Sequence, residues 1–569
     1  MTNPALAPYD ISNYQGIKGK NFFEIDIVLQ DLLLVQDFSQ SENEAIRAHL
    51  AGYGKLCSEV LDPLVQAAHR ENKYGELVRF DRTGNRIDAI EYCYEQKEVR
   101  RLAYEYGIVN LDFHPNWRYP FTMFHKMALA YLSNQMGEAG LNCPLAMTDG
   151  MIKVLKAIGS PEQQRKYLPL IAGYGSSSHF MCGQYVTERV GGSNVSANRT
   201  VARPLGNGKW LLTGEKWFCS NPGDLWVTTA RVEGTPTIGL FLVSRYKEDG
   251  SLNGCHLLRK KEIMGSRGKL TCEAIYEDCE AEELGRPAHG LVNLIKYVIN
   301  TSRLHVAVAA LGMMRRALAE ASAYVQQREA YGKKIIAYPS VRKILSQIFV
   351  SLSGMVLLSF YNFKLAEEEH LLSQLLTPLL KYITTSRCTR FIHECMLLHG
   401  GNGILLDFSV LPRLLNDSII NETWEGTHQI ISEHVLKAYQ RPKVAKALNH
   451  YVEETFASCP APFKSELHSL REIIFQELSI FAESRESYAE MNRLYFCERL
   501  FDLLVVIEAI RHYLKMKGKK REELYLAILR GLFELARRDF HGPAEKTGVF
   551  VPGPENNLLL SAILWEEKT

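Results

Sequence analysis

The sequence lacks closely paired cysteines. Its twelve cysteines are scattered singly from Cys57 to Cys497 without a Cys-x-x-Cys spacing, which argues against a disulfide framework or a zinc ribbon. His393 and Glu394 are followed by His399, which comes too late to share a helical face as in a zinc protease motif. No metal is therefore predicted, and a reducing, cytoplasmic location is expected.

The sequence also lacks an excess of charge and a long hydrophobic run. Lys plus Arg number 66 against 64 Asp plus Glu, giving a net charge of +2, so no overall field attracts nucleic acid or anionic lipid. No segment approaches 18 uninterrupted apolar residues, the start lacks the regions of a signal peptide, and the first twenty residues contain no Arg. Membrane insertion, secretion and mitochondrial import are therefore not expected.

What the sequence does contain is 569 residues, 46% of them hydrophobic, more than one core usually organises. Apolar residues spaced by three or four predict helical domains at 1–180 and 284–440, and an extra C-terminal helical domain at 441–569. Short β-rich runs between turn residues predict a small β-domain at 181–283. The fold class is therefore mainly α with a central small β-domain. The clearest predicted elements are strands at 210–213, 225–229, 238–243 and 272–276 and helices at 304–327, 341–365 and 375–398.

The β-domain contains two segments suited to a flat, anionic cofactor. Gly191, Gly192 and Ser193 can offer backbone N–H groups to a phosphate, because glycine lacks a Cβ that would block the approach. Phe218 and Ser220 lie two residues apart and so share a strand face, where a ring can stack and a hydroxyl can hydrogen-bond. Each segment also has a purely structural interpretation, as a hairpin turn and as a half-buried aromatic strand.

A further segment, residues 421–430, carries a carboxylate on a Gly-flanked turn. Glu425 immediately precedes Gly426, and the glycine cluster at 400–403 lies upstream. A carboxylate in this setting is suited to act as a general base towards a weak acid. Glu422 is the rival carboxylate in the segment, and we expect it to face solvent.

These segments together resemble the acyl-CoA dehydrogenase family. The family's Val-Thr-Glu-x-x-x-Gly-Ser-Asp is similar to residues 186–194, its Trp-Ile-Thr-Asn to 218–221, and its Tyr-x3-Arg-x2-Phe-Gly-x-x-Ile to 324–335. The resemblance covers about residues 120–440. It implies a helical domain, a β-barrel or sandwich domain and a four-helix bundle, with FAD as the cofactor.

The resemblance assigns FAD contacts in the β-domain. Thr187 would hydrogen-bond the flavin, and Gly192 and Ser193 would hold the pyrophosphate. Phe218 would pack on the isoalloxazine ring, and Ser220 would reach its N5 region. These roles follow from the family pattern and not from spacing alone.

The resemblance also assigns residues of the helical bundle. Glu425 would be the catalytic base with Arg303 near it, although Arg303 also has an interpretation as a solvated cation on a helix face. Arg328 resembles a residue that binds the FAD of a neighbouring subunit, which implies an oligomer, with a homotetramer expected. The remaining implied FAD contacts are Gly400, Gly401, Thr427 and Gln429.

Within the family, the sequence looks most like the AidB-like subgroup, whose members carry an extra C-terminal helical domain. Trp424, the segment 218–220 and the stretch around Gly84 support this similarity. One departure is Lys269, which stands where the family has Ser.

The implied function is FAD-dependent α,β-dehydrogenation of a fatty acyl-CoA thioester, with Glu425 removing the α-proton and hydride passing to flavin N5. An electron-transfer flavoprotein would accept the electrons. Two alternatives stay open: an acyl-CoA oxidase, and an AidB-like flavin-containing, nucleic-acid-associated protein with residual dehydrogenase activity. Residues 441–569 contain 19 Lys plus Arg and 19 Asp plus Glu, which disfavours nucleic acid, although the basic run 515–521 keeps it possible.

Overall fold

A computed structural model describes residues 11, 13–70, 73–173, 179–483, 486–538 and 554–564, without the side chains of 477–483, 486–489, 538 and 554–556. Contacts group the chain into two compact units. The helical unit comprises the described residues of 1–60, 122–137 and 306–569, and the β unit those of 61–121 and 138–305. The division into four domains made from the sequence stays a prediction.

The regular elements are numbered in chain order. The α-helices are α1 (Ile27–Leu34), α2 (Gln40–Leu56), α3 (Asp62–Arg70), α4 (Tyr94–Tyr106), α5 (Met123–Ser133), α6 (Asn142–Ile158), α7 (Pro161–Ala172), α8 (Gly290–Asn293), α9 (Asn300–Gln327), α10 (Pro339–Glu367), α11 (Ser373–Leu398), α12 (Leu411–Thr423), α13 (His428–Tyr439), α14 (Pro442–Ser458), α15 (Ala461–Glu483), α16 (Glu486–Met516), α17 (Glu522–Arg538) and α18 (Pro554–Leu564). The strands are β1 (Glu76–Phe80), β2 (Arg86–Glu91), β3 (Cys182–Tyr185), β4 (Val201–Gly206), β5 (Lys209–Ser220), β6 (Leu225–Val232), β7 (Ile238–Ser244), β8 (Cys255–Lys260), β9 (Thr271–Glu283), β10 (Glu329–Ala330) and β11 (Lys333–Lys334).

The β unit is built around a closed barrel. Strands β4, β5, β9, β7 and β6 pair in that order, and β6 pairs back with β4, while β3 adds to β6 and β8 adds to β9. Alternate residues of β6 and β7 explain the closure, because one set points into the barrel and the other packs against helices α6 and α7. The four predicted strands are confirmed, and the mainly α fold class with a small β-domain is confirmed with them.

One hairpin lies inside the block that the sequence predicts to be helical. Strands β1 and β2 pair antiparallel, and their turn contains Gly84 at φ +87°. The Asp81 carboxylate accepts hydrogen bonds from the backbone N–H groups of Thr83 and Asn85. Local side-chain bonds of this kind favour a turn over a helix, so a short hairpin interrupts a block that the sequence predicts to be mostly helical.

The helical unit contains the predicted bundle. Helices α9, α10 and α11 confirm the three long helices expected at 304–327, 341–365 and 375–398. Helix α10 is long and apolar enough to cross a bilayer by length and composition alone, but 83% of its apolar window is buried. That burial is typical of a core helix, because α10 packs against α5, α11, α16, α17 and α18.

The helices after residue 441 pack directly on the bundle. Helix α16 contacts α10, α11 and α13, and α17 and α18 also pack on α10. The middle of α16 is almost entirely buried from Leu500 to Ile510. The extra C-terminal helices therefore share a hydrophobic core with the helices around the segment that carries Glu425.

Candidate active site

In the β unit, the loop that contains Thr187 is held by a buried ion pair. Lys216 Nζ lies 2.8 Å from Glu188 Oε1, and the two side chains are 0% and 1% exposed. Lys216 also donates to the carbonyl oxygen of Thr229 (2.8 Å), and the N–H of Trp217 donates to the Thr187 carbonyl (2.8 Å). Thr187 is therefore held beside strand β5 by charge and by backbone pairing.

The Glu188–Lys216 pair shifts the proton equilibria of both groups. Burial works against ionisation of Glu188, but the ammonium of Lys216 holds the pKa of this carboxyl below its ordinary value. Burial lowers the pKa of Lys216, although Glu188 acts in the opposite direction. A carboxylate with a depressed pKa is ionised at neutral pH, so the pair is a charged tie at the base of the loop.

The glycines after this tie form an open segment. Gly191 has φ +129°, and Gly192 and Ser193 are exposed. A Cβ on Gly192 would come within 2.6 Å of Thr187 Oγ1, so only glycine lets the backbone pass so close to that hydroxyl. Exposed N–H groups beside a threonine hydroxyl suit the phosphate role predicted from the sequence.

Strand β5 presents Phe218 and Ser220 on its outer face. The register between β5 and β9 shifts between Lys216 and Cys219, a bulge that re-aims the side chains of the strand. Phe218 is 47% exposed while Cys219 is fully buried, so Phe218 and Ser220 share the face opposite the barrel core. Ser220 Oγ lies 3.1 Å from Thr271 Oγ1. An exposed aromatic ring beside a hydroxyl fits a flavin wall.

Arg303 lies near the start of α9, where its residue is 6% exposed. This burial contradicts the interpretation as a solvated cation on a helix face, since a buried guanidinium is held by surrounding groups and not by water. The assignment of Arg303 beside the catalytic base stays a prediction. Arg303 belongs to the β unit, whereas Glu425 belongs to the helical unit.

In the helical unit, Glu425 occupies a strained turn between two helices. Helix α12 ends at Thr423, α13 begins at His428, and Glu425 adopts φ +57° followed by Gly426 at φ +109°. A non-glycine residue in the left-handed region costs of order 1 kcal/mol or more and persists where surrounding contacts enforce it. The Glu425 side chain is half-buried.

Lys381 of α11 holds this turn from inside. Its ammonium is completely buried and donates to the carbonyl oxygens of Glu422 (3.1 Å) and Gly426 (2.6 Å). These carbonyls bracket Glu425 on both sides. The sequence missed Lys381 because a single lysine in an apolar helix resembles a solvated residue. The signal that identifies it is that Lys381 is the single charged residue in the run from Ser373 to Ser386.

Glu422 does not face solvent as predicted. Its side chain is 26% exposed, accepts a hydrogen bond from Thr389 Oγ1, and lies 3.4 Å from His428 Nε2. Burial raises the pKa of Glu422, and burial lowers the pKa of His428 to about 4. His428 is therefore neutral near pH 7. The prediction was wrong because α12 continues through Glu422 and turns this side chain towards α11.

The remaining predicted FAD contacts of the helical unit lie at element ends. Arg328 follows α9 and precedes the β10–β11 hairpin, and its residue is half-buried. Gly400 lies two residues after the end of α11 with φ +58°, and a Cβ on Gly400 or Gly401 would meet nothing within 4 Å. Thr427 is the N-cap residue of α13, and Gln429 is exposed in its first turn. The N-terminus of α13 therefore presents N–H groups where an anionic group is favourable.

The predicted site residues are divided between the two units. The β unit contains Thr187, Gly192, Ser193, Phe218, Ser220 and Arg303, and the helical unit contains Glu425, Arg328, Gly400, Gly401, Thr427 and Gln429. Among the described residues, no group of His, Cys, Asp or Glu side chains is placed to hold a metal ion.

Comparison with known protein families assigns the chain. Residues 15–174 match the adaptive response protein AidB N-terminal domain, 183–279 the acyl-CoA dehydrogenase middle domain, and 289–440 the acyl-CoA dehydrogenase C-terminal domain. The three matches follow one another in the order of the fold. The chain belongs to the acyl-CoA dehydrogenase family. Its AidB-like character, predicted from the sequence, is confirmed by the N-terminal match.

Individual relatives agree with this family assignment. The chain is 28% identical to acyl-CoA dehydrogenase family member 11 of Caenorhabditis elegans, over 76% of this chain and 73% of the relative. It is 29% identical to the putative acyl-CoA dehydrogenase AidB of Escherichia coli, over 64% and 69%. The family is one of oxidoreductases, and the sequence prediction of an FAD cofactor is confirmed by this membership.

Solved structures share the fold. The structure of Caenorhabditis elegans ACDH-11 in complex with C11-CoA superposes with a TM-score of 0.82 at 23% identity, covering 95% of each chain. An acyl-CoA dehydrogenase from Bacillus anthracis complexed with FAD has a TM-score of 0.71 at 17% identity, covering 96% of this chain and 94% of the other. The acyl-CoA dehydrogenase fold with its additional helices is therefore confirmed.

Proposed function

We propose that the protein is an FAD-dependent acyl-CoA dehydrogenase in which Glu425 removes the α-proton of a fatty acyl-CoA thioester. The observation that carries the proposal is the strained conformation of Glu425 at φ +57°, enforced by Lys381 through the carbonyls of Glu422 and Gly426. Strain at a single carboxylate that neighbouring contacts hold in place is typical of a catalytic group. The match of ACDH-11 in complex with C11-CoA supports an acyl-CoA substrate.

The residues present fit FAD. The open backbone at Gly192 and Ser193 suits the pyrophosphate, and the exposed ring of Phe218 suits the flat isoalloxazine. When bound, FAD supplies the acceptor for the hydride that leaves the β-carbon. Thr187 and Ser220 offer hydroxyl groups to the flavin, and Thr427 and Gln429 offer polar groups at the start of α13.

The protein's own part in the reaction is positioning and proton transfer. The α-proton of a thioester is weakly acidic, so its removal requires a fixed carboxylate and hydrogen bonds to the thioester oxygen as charge develops there. We assign the first role to Glu425 and the second to its own backbone N–H. Lys381 keeps the turn rigid, which preserves the alignment of carboxylate and substrate.

Two matched substitutions test the proposal. Glu425→Gln keeps the size of the side chain but removes the base, so the rate of flavin reduction by acyl-CoA should fall by about two orders of magnitude or more while FAD remains bound. Glu422→Gln should lower this rate by less than about ten-fold, because only a supporting hydrogen bond changes. Anaerobic stopped-flow bleaching, run with acyl-CoAs of different length and branching, measures both. A larger loss in Glu422→Gln than in Glu425→Gln would reject Glu425 as the base.

We propose an electron-transfer flavoprotein as the electron acceptor, in keeping with the dehydrogenase family. The alternative, an acyl-CoA oxidase, would reduce oxygen directly. Turnover with a purified electron-transfer flavoprotein, set against hydrogen peroxide formation in air, separates the two. Peroxide formed at the full turnover rate would favour the oxidase. A cytoplasmic location is also proposed, since all twelve cysteines are free; fractionation of cells would test it.

We propose a homotetramer. Arg328 resembles a residue that reaches a neighbouring subunit's cofactor, and several large apolar side chains of the helical unit are exposed. Tyr331 is 99% exposed, and Leu397, Ile404 and Leu406 are 61% to 71% exposed, which is unfavourable in water unless a second copy covers them. Sedimentation should give a tetramer, and a monomer with full flavin occupancy would contradict the proposal.

Nucleic-acid binding is the second candidate function. Lys515, Lys517, Lys519 and Lys520 are exposed at the turn between α16 and α17, whereas Arg521 lies 2.7 Å from the carboxylate of Asp31. Binding by these lysines should weaken steeply with salt and fall when Lys519 and Lys520 are changed to Gln. If the protein does not bind duplex DNA, or binds it with an affinity that does not respond to salt, these lysines have no role in nucleic-acid binding.

A further inference from the structure

Three polar side chains form a row behind the outer face of β5. Lys269 Nζ donates a hydrogen bond to Thr271 Oγ1 (2.9 Å), and Thr271 Oγ1 lies 3.1 Å from Ser220 Oγ. Lys269 and Thr271 are only 3% and 4% exposed, while Ser220 is half-buried. Ser220 and Thr271 are directly paired residues of the β5–β9 ladder. The row therefore runs from a buried ammonium to the hydroxyl on the proposed flavin wall.

The chemistry of the three groups allows the hydrogen bonds to run in one direction along the row. An ammonium has three donors and no acceptor, so Thr271 Oγ1 accepts from Lys269. A hydroxyl has one hydrogen, and that of Thr271 is free to point to Ser220 Oγ. Ser220 then accepts from Thr271, which leaves its own hydrogen available for a group outside the barrel. Thr271 Oγ1 has a second lone pair, so the direction of the bond between the two hydroxyls is part of the proposal that follows.

We propose that Lys269 is a positioning residue that fixes the Ser220 hydroxyl as a hydrogen-bond donor towards the bound flavin. The inference rests on the proposed function, in which Ser220 faces the N5 region of FAD. A donor at this place, backed by a positive charge two side chains away, draws electron density from the ring. Bound FAD is then easier to reduce. Lys269, which stands where the family has Ser, thus tunes the cofactor through Thr271.

A purely structural role of Lys269 makes a different prediction. If the lysine only fills space and satisfies nearby acceptors, its replacement would change the stability of the β unit but would leave the relative affinity for oxidised and reduced FAD unaltered. The reduction potential of the bound flavin therefore separates the two roles. It is measured on the bound cofactor and does not require substrate turnover.

Four variants test the row. In Lys269→Met and in Thr271→Val the affinity for reduced FAD should fall about ten-fold relative to that for oxidised FAD, the scale of one hydrogen bond backed by a charge. For a two-electron couple this change lowers the potential by about 30 mV. Thr271→Ser keeps the hydroxyl and should match the wild type. Thr213→Val, which removes an exposed hydroxyl of β5 that bonds Asp278, is the matched control and should also match it.

The outcomes are distinct. If Lys269→Met does not fold, Thr271→Val still carries the test, because it breaks the row without removing a charge. Wild-type potentials in both variants, with FAD bound, would overturn the role of Lys269 and leave the proposed function intact. A wild-type protein that takes up no FAD would overturn both. A lowered potential in Thr271→Ser as well would show that packing at residue 271, and not its hydroxyl, sets the potential.

Discussion

Each of the two units holds a segment with predicted site residues by a fully buried lysine, but in different ways. In the β unit, Lys216 pairs with the carboxylate of Glu188 beneath the loop that contains Thr187. In the helical unit, Lys381 donates to two backbone carbonyls on either side of Glu425. The first arrangement depends on two charges that compensate each other. The second depends on a cation that donates hydrogen bonds to backbone carbonyls at and after the end of α12, which have no partner within the helix. The two units should therefore differ in how their stability responds to substitution and to pH.

The largest expected effect is in the β unit. Glu188→Gln leaves the Lys216 ammonium buried without its carboxylate, which should lower the free energy of unfolding by about 3 to 5 kcal/mol and weaken FAD binding. The double variant Glu188→Gln with Lys216→Met removes both charges and should recover part of this loss. Urea unfolding of the single and double variants measures the difference. Equal stability of the two would show that charge compensation is not what holds the loop.

The next effect is a pH response of opposite sign in the two units. The pKa of Glu188 is depressed in the folded protein, so its contribution to stability is present at neutral pH and is lost as the pH falls through that pKa. On α16, burial raises the pKa of Glu508 from 4.5 to about 7, opposed by Tyr451 and Arg511. Its contribution is complete below 4.5 and is lost as the pH rises through 7.

Glu508→Gln tests this response. In the wild type, ionisation of the Glu508 carboxyl should lower the free energy of unfolding by roughly 3 kcal/mol as the pH rises from 4.5 to 7 and above, since one pKa unit corresponds to about 1.4 kcal/mol. The Gln side chain does not ionise, so the variant should lack this decrease. The variant should therefore be more stable than the wild type at pH 8 and closer to it at pH 4.5. Thermal unfolding across this range measures the effect. A wild-type slope that persists in the variant would assign the pH dependence to another group.

A smaller effect is expected at the turn that carries Glu425. Lys381→Met removes the hydrogen bonds to Glu422 and Gly426, which should cost about 2 to 3 kcal/mol of stability. Loss of alignment at Glu425 should also slow flavin reduction about ten-fold or more, while FAD still binds. Lys437→Met, which removes an exposed lysine of α13, is the matched control. If Lys437→Met slowed flavin reduction to the same degree, the effect of Lys381→Met could not be assigned to the turn at Glu425.

The sequence predicted those strands and helices of the two units that depend on local pattern. Strands β5, β6, β7 and β9 follow from β-rich runs between turn residues, and helices α9, α10 and α11 follow from apolar residues at helical spacing. The β1–β2 hairpin was missed because its signal is a short turn within a helix-rich block. The family pattern, and not local periodicity, supplied the residue roles at the site.

The supporting residues could not be predicted because their partners are distant in sequence. Lys381 reaches carbonyls more than forty residues away, and Thr389 meets Glu422 only after α11 and α12 pack together. Glu422 was expected to face solvent, since a lone carboxylate is usually exposed. What decides its position is the packing of one helix on another, and the sequence shows that packing only as apolar spacing.

The smallest expected effect concerns the C-terminal helices and would extend the comparison to α16. Arg493 Nη1 lies 2.8 Å from Glu433 Oε2, and Nη2 donates to Gln429 Oε1 (3.2 Å), so one guanidinium spans the first turns of α13. Arg493→Ala should cost about 1 kcal/mol and weaken FAD binding a few-fold, through the freed Gln429 amide.

Arg471→Ala provides the control for Arg493→Ala, because Arg471 of α15 pairs with Glu453 of α14 at 2.7 Å. Its stability loss should be similar, but its FAD affinity should stay at the wild-type value. In the background of Gln429→Ala, Arg493→Ala should have no further effect on FAD affinity, since residues that act through one contact are not additive. Additive losses of FAD affinity would mean that α16 stabilises the helical unit in general. The turn that carries Glu425 would then depend on Lys381 without support from the C-terminal helices.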